Sequence, residues 1–289
     1  MTKQHLSVVL ATFNEEKNLA DCLTSVKRIA TEIVVVDGTS TDKTVEIAKT
    51  FGAKVIVTNN PPIFHINKQK ALDAATYSWI LQLDADERVS QNLADEITQI
   101  LSLEEKEVAE YQKKLLSREL FLAHQQLLEK RDGMIGTQEG PYQAFFVPRL
   151  NNFLGRNLRY GGVYPDGVIR LVKKGRVHFP CKDVHEQMVV DGRVGWLQQA
   201  LIHKDSPTFA RYLQRNNRYI DLLAQELREK GVRLEPVSLV KYGLFLPSEW
   251  FIKTFIRHKG FLDSWQGFVF SFFSALRFPR AYKRAVTKK

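Results

Sequence analysis

Four short apolar runs separated by amphipathic stretches constrain this chain more than any other feature. Residues 6–11, Glu32–Asp37 (EIVVVD), 54–58 and Trp79–Leu83 have strand length, are β-branched or bulky, and are bounded by polar residues. Between the first two, Leu19, Cys22, Leu23, Val26 and Ile29 or Ala30 recur at three- and four-residue steps and form one apolar helix face. A second helix is predicted through Val45, Ala48 and Phe51 to a stop at Gly52, and a third near residues 67–76. Asn14 and Ser40-Thr41-Asp42 are candidate caps for the first two. This alternation predicts an α/β fold with a mostly parallel central sheet and helices on both faces. Ligands of such sheets bind at the carboxyl ends of the strands.

That edge is where the chain places its acidic residues. Trp79-Ile80-Leu81 and Leu83, interrupted by Gln82, read as a buried strand that runs into Asp84-Ala85-Asp86. Residues two apart on extended backbone point the same way, roughly 6–7 Å apart. Two carboxylates so close repel each other, and a divalent cation is the usual remedy. A solvated acidic turn is the plainer alternative, and the strong strand in front favours a site. Asp37 ends the second strand as Asp84 follows the fourth. Alone, Asp37 is as readily a turn or cap residue as a ligand; with Asp84 and Asp86 it points to a nucleotide pocket. No GxGxxG or GxxxxGK[ST] phosphate loop is present.

Three stretches, SVVLATFNEEKNLADCL, EIVVVDGTSTDKTVEIAKTFGAKV and WILQLDADERV, together resemble the N-terminal signature of the family 2 inverting glycosyltransferases. Within that family the chain is similar to the bacterial lipopolysaccharide-core branch (WaaE/KdtX-like), from about residue 6 to about 221. The resemblance implies a GT-A-like nucleotide-binding fold, a nucleotide-sugar donor and a divalent metal, Mg2+ or Mn2+. It implies that Ala11, Phe13 and Glu15 border the base and that Asp37 binds it. Asp84, with Ala85 beside it, would contact the donor ribose or the metal, and Asp86 would be the main metal ligand. Lys68 matches a basic residue near the donor, although Gln69 follows it where the family often has Asn; a solvated helix lysine is the equal alternative. The VHE at 184–186 resembles the motif that supplies the base, making Glu186 the catalytic candidate and Asp183 its rival. His203, at the end of an apolar run, is a candidate third metal ligand.

The middle of the chain is less informative. Residues 101–130 read as one or two exposed helices, and 142–150 as a further strand. Hairpins are predicted around Lys174-Gly175 and Asp191-Gly192. Arg149, Arg159 and Arg170 are candidates for acidic groups on an acceptor, or ordinary surface arginines.

The net charge of +10 is unevenly placed: residues 204–289 hold 17 basic against 7 acidic residues, which accounts for all of it. Residues 209–230 read as a helix with Arg211, Arg215 and Arg218 along one side. Beyond Pro236 the chain is aromatic and apolar with interspersed Lys and Arg. Its longest uncharged stretch, 264–276, has 13 residues, short of the roughly 20 that span a bilayer. Helices lying in an anionic membrane interface fit this pattern, and a helical subdomain packed on the rest of the chain is the alternative. The segment is too apolar for a nucleic-acid tail, so no nucleic acid partner is expected. Two distant cysteines, Cys22 and Cys181, and the lack of a signal-peptide pattern fit a reducing cytoplasm.

The sequence therefore predicts a catalytic domain over 1–205 and a C-terminal helical extension over 206–289. The expected reaction moves a sugar from a nucleoside diphosphate to a hydroxyl of a lipopolysaccharide-core or other glycolipid or glycan acceptor, with inversion. The expected location is peripheral, at the inner face of the bacterial cytoplasmic membrane. A sugar-nucleotide nucleotidyltransferase and a non-catalytic membrane-surface adaptor are the alternatives.

Overall fold

The computed structural model describes residues 5–182 and 187–287. In chain order the first elements are β1 (Leu6–Thr12), α1 (Leu19–Val26), β2 (Glu32–Asp37), α2 (Thr44–Thr50), β3 (Lys54–Val57), α3 (His65–Asp73), β4 (Trp79–Leu83) and β5 (Glu87–Arg88). Three helices follow, α4 (Gln91–Ser102), α5 (Glu105–Lys113) and α6 (Arg118–Asp132). Then come β6 (Tyr142–Phe153), β7 (Arg156–Asn157), β8 (Asp166–Lys173), β9 (Val177–His178), β10 (Val189–Val190), β11 (Arg193–Trp196) and β12 (Leu201–Ser206). The chain ends in α7 (Phe209–Glu229), α8 (Pro236–Val240), α9 (Leu246–Phe251), α10 (Ser264–Ala275) and α11 (Arg277–Thr287). It divides into two compact units, Met1–Arg149 with Pro165–His203, and Leu150–Tyr164 with Lys204–Lys289.

In the first unit the strands lie in the order β3-β2-β1-β4-β8-β6-β12-β5. The four strands read from the sequence pair in parallel, β2 with β3 and β1 with both β2 and β4. β8 then joins β4 antiparallel, and β6 joins β8 antiparallel. β1 is buried along almost its whole length because both faces are covered, which is why it reads as a continuous apolar run. Leu19, Cys22, Leu23 and Val26 of α1 pack in one core with Val8, Leu10, Leu81 and Leu83.

Several local expectations are corrected. Asn14 does not cap α1: with φ 55° it turns its Oδ1 to accept the Thr41 backbone N–H at 2.8 Å, tying the loop after β1 to the loop after β2. Among the described residues neither predicted hairpin forms. β9 pairs with β10, and β11 lies parallel against β6, because Val194, Gly195 and Trp196 find partners in Ala144, Phe145 and Phe146. The exposed helical stretch predicted over 101–130 forms as α5 and α6, which bury only Val108, Gln112 and Phe121. α4 ahead of it buries Leu93, Ile97, Ile100 and Leu101.

In the second unit α7 packs on α11 through Ile220, Ala224 and Leu227 against Ala281, Tyr282 and Ala285. A separate aromatic cluster joins Phe153, Leu158 and Tyr212 with Phe270 and Phe273 of α10. Asp263 is buried and accepts the backbone N–H groups of Arg159 and Tyr160 at 3.0 and 2.8 Å, anchoring the loop at 158–162. Residues 236–257 form one helical run in which α8 and α9 alternate with π-helical turns at Lys241–Phe245 and Ile252–Arg257.

Candidate active site

Register brings the predicted residues to one edge. Leu10 lies opposite Leu83 and Thr12 opposite Asp37, so the residues that follow β1 and β4 emerge side by side. The Asp84–Glu87 turn is closed twice: the Glu87 N–H donates to the Asp84 carbonyl at 3.0 Å, and the Asp84 N–H donates to Glu87 Oε2 at 2.9 Å. Arg88 straps the turn from behind, donating to the carbonyls of Ala85 at 2.7 Å and Asn18 at 2.8 Å. β5 then pairs with β12 so that Glu87 lies opposite His203. That pairing sets the His203 Nε2 3.5 Å from Asp86 Oδ2.

A cavity of about 330 Å3 opens here, lined by Ala11, Thr12, Phe13, Glu15, Asn60, Phe64, Asn67, Lys68, Asp84, Ala85, Asp86 and His203. Eight of the residues expected from the sequence therefore share one pocket. Phe13 is 44% exposed and offers an aromatic face. Asn67 donates to the Asn59 carbonyl at 2.9 Å, whereas its Oδ1 is buried with no hydrogen-bond partner among the described residues. An acceptor left in that state is costly unless a ligand donor meets it.

Asp37 does not line this cavity. It is fully buried, and its carboxylate accepts from the Thr12 hydroxyl at 3.0 Å and from the Ser40 N–H and hydroxyl at 2.8 and 2.6 Å. Here it organises the two loops that carry the rim.

The electrostatics separate the two aspartates of the turn. Asp84 Oδ1 meets Lys68 Nζ at 2.5 Å and Asp84 Oδ2 meets Arg170 at 2.6 Å. Burial would push the Asp84 carboxyl up, but Arg170 and Lys68 outweigh it and hold it well below the usual range. Lys68 is pulled down from the usual lysine value by its own burial, against the pull of Asp84. Arg170 also pairs with Glu87 at 2.7 Å and donates to Gln82 Oε1. The Gln82 that interrupts an apolar strand is therefore the partner of a buried arginine. Asp86 instead has the His203 imidazole as its near partner, 3.5 Å away. Burial raises its pKa, and the hydrogen bond and charge of His203 more than reverse this.

The expected trio of metal ligands is consequently not assembled: Asp84 is committed to Lys68 and Arg170. Among the described residues no group of three His, Cys, Asp or Glu side chains is arranged to hold a metal ion. What remains is one carboxylate and one imidazole, Asp86 and His203. That donor set fits Mg2+ or Mn2+, which keep waters and take phosphate oxygens alongside one or two protein ligands.

The expected acceptor arginines are also corrected. Arg170 is 5% exposed and serves the turn from inside. Arg149 pairs with Asp166 at 2.7 Å and reaches Glu87 at 3.5 Å. Glu186 and Asp183 lie outside the described residues. Sequence reasoning missed Thr12, Asn60, Phe64 and Asn67, and the Glu87–Arg170 pair. The one available signal was Gln82, a polar residue in the middle of a buried strand.

Fold and pocket together define a GT-A-like α/β protein. The chain belongs to glycosyl transferase family 2, whose model matches residues 7–155. It is 29% identical to the uncharacterized glycosyltransferase RT0209 of Rickettsia typhi, over 96% of this chain and 86% of that one. It is 26% identical to the lipopolysaccharide core biosynthesis glycosyltransferase LpsC of Rhizobium meliloti, over 99% of this chain and 95% of the relative. Among solved structures it resembles glucosyl-3-phosphoglycerate synthase of Mycobacterium tuberculosis, crystallised with Mn2+, UDP and glucosyl-3-phosphoglycerate. The identity is 25% and the TM-score 0.27; the match covers 29% of this chain and 34% of that chain. No helix among the described residues is long and apolar enough to cross a membrane.

Proposed function

We propose that this family 2 glycosyltransferase moves a sugar, with inversion, from a nucleoside diphosphate donor to a hydroxyl of a lipopolysaccharide-core or other glycolipid acceptor. The supporting observation is the pocket at the carboxyl ends of β1 and β4, where Asp86, His203, Lys68 and the unpartnered Asn67 Oδ1 converge. The full-length relative LpsC, named for lipopolysaccharide core biosynthesis, supports the acceptor class. Transfer is assigned to residues 1–205 and contact with an anionic membrane surface to 206–289, making the chain a peripheral enzyme of the inner membrane face.

In this reading the exposed Phe13 ring covers one face of the donor base, and Asn67 Oδ1 accepts from a base N–H or sugar hydroxyl. Lys68 lies beside the diphosphate, with Asp84 holding its ammonium in place. Asp86 and His203 would hold a divalent cation, which when bound neutralises charge developing on the leaving diphosphate. Glu186, with Asp183 as its rival, takes the proton from the acceptor hydroxyl on the sugar face opposite the leaving group.

Asp86→Ala and Glu186→Gln test these roles. Each should lower transfer by about 10²–10⁴-fold with the fold intact by circular dichroism. Undiminished transfer by both variants excludes the assignments. Asp183→Asn, expected to keep most activity, decides between the two bases.

A further inference from the structure

We propose that one continuous face of the second unit, built by the helical run 236–257 and α10, seats the protein on an anionic lipid bilayer. The proposal deepens the membrane partner named in the functional reading and rests on it. Val237, Val240, Leu244, Ile252 and Ile256 recur at three-, four- and eight-residue steps along the run, and all are exposed. Leu244 is 65% exposed and Phe245 beside it 61%. The opposite side of the run is covered: Thr254 is buried, and Trp250 donates its Nε1–H to Ser274 at 3.1 Å. The run is therefore packed on one side and bare on the other.

A second bare stripe adjoins the first. Phe261, Trp265, Phe268 and Phe272 recur at four-, three- and four-residue steps and are exposed as well. The stripes meet through rings: Phe268 lies 5.9 Å from Phe251 and 5.8 Å from Phe255, and Phe255 lies 6.2 Å from Phe261. Apolar surface of this extent on a folded unit marks an interaction site.

Charge chooses the occupant. Residues 236–262 carry Lys241, Lys253, Arg257 and Lys259 against a single acidic residue, Glu249, and all four cations are exposed. A two-fold pairing of this face with a second copy would set these cations against one another. A bilayer with anionic headgroups accepts the apolar rings about 5–10 Å deep and the cations at its surface, as in-plane amphipathic helices do.

The test is flotation of the full chain with phosphatidylcholine vesicles, with and without phosphatidylglycerol, at low and high salt. Binding should be at least about tenfold stronger with phosphatidylglycerol and should weaken in high salt. Leu244→Ser/Ile252→Ser/Trp265→Ser should lower it about tenfold or more, and so should Lys253→Glu/Arg257→Glu. Both variants should keep the circular dichroism spectrum and the hydrolysis of nucleotide sugar of the unaltered chain. Absence of flotation with phosphatidylglycerol vesicles overturns the proposal, as does flotation equal in all three proteins. So does a dimer in light scattering that the apolar substitutions abolish. Failure of flotation with donor turnover intact strikes this surface alone. Flotation without turnover of any nucleotide sugar strikes the transfer reading alone.

Discussion

Arg170 shows how a charge with no direct role at a pocket can decide whether the pocket exists. Its guanidinium meets Asp84 and the fully buried Glu87, and both carboxylates belong to the turn that carries Asp86. Removing it leaves two carboxylates without their main cation. Arg170→Met should therefore destabilise the protein by about 3–5 kcal/mol in urea denaturation. Arg170→Lys, which keeps the charge but not the planar fork, should recover only part of that. A loss of under about 1 kcal/mol in the Met variant would mean the network is not structural. Beyond the polar Gln82 in the middle of β4, this pairing was not legible in the sequence, because it depends on β8 joining β4 antiparallel, and no local pattern encodes that neighbour. The residues on the loops after β1 and β4 were legible, since their strands run parallel and end at one edge. Asp37 is at the predicted edge as well, but Thr12 and Ser40, invisible as partners until register is known, draw its carboxylate inward.

Two contacts fix whole elements. His124 of α6 accepts the Gly167 N–H of β8 through Nε2 at 3.1 Å and packs edge-on against Trp196, 6.0 Å between ring centres. Burial depresses its pKa. A histidine held below its ordinary value favours the folded state above that value, about 6.5, and the gain is lost as pH falls through the depressed one. Thermal stability should thus decline on acidification from about pH 6.5, and His124→Gln should remove that part of the slope. Identical pH profiles for both proteins would contradict the contact. In the other unit, a Cβ on Gly267 would stand 1.9 Å from the Gly260 carbonyl oxygen, so α10 can lie against the turn Gly260–Asp263 only with glycine there. Gly267→Ala should raise hydrogen exchange across 236–275 while leaving β1–β4 protected. Unchanged protection at 236–275 would refute this packing. The strands β1–β4 and the helices α1 and α2 were readable because their apolar spacing is regular, whereas β5 and α4 were not read at all. The Asp191-Gly192 hairpin was misread because turn chemistry favours a reversal that Trp196, drawn beside β6 and stacked 4.6 Å from Phe146, overrides.

At the scale of the whole molecule, chemistry and charge are segregated. The first unit carries the pocket, and residues 204–289 carry the entire excess of +10. The charge asymmetry is a property of the sequence itself, whereas the clustering of residues 150–164 with the C-terminal helices through Phe153 and Leu158 is one that composition gave no reason to expect. The central claim is that the pocket around Asp86 and His203 takes a nucleoside diphosphate together with a divalent cation. Titration calorimetry of the full chain with a panel of nucleoside diphosphates, with Mn2+ and with chelator, tests it directly. At least one nucleotide should bind with Mn2+, more weakly by about tenfold or more under chelation, and Asp86→Ala should lose most of that difference. Binding that is indifferent to both the metal and Asp86, or no binding to any nucleotide, would contradict the account.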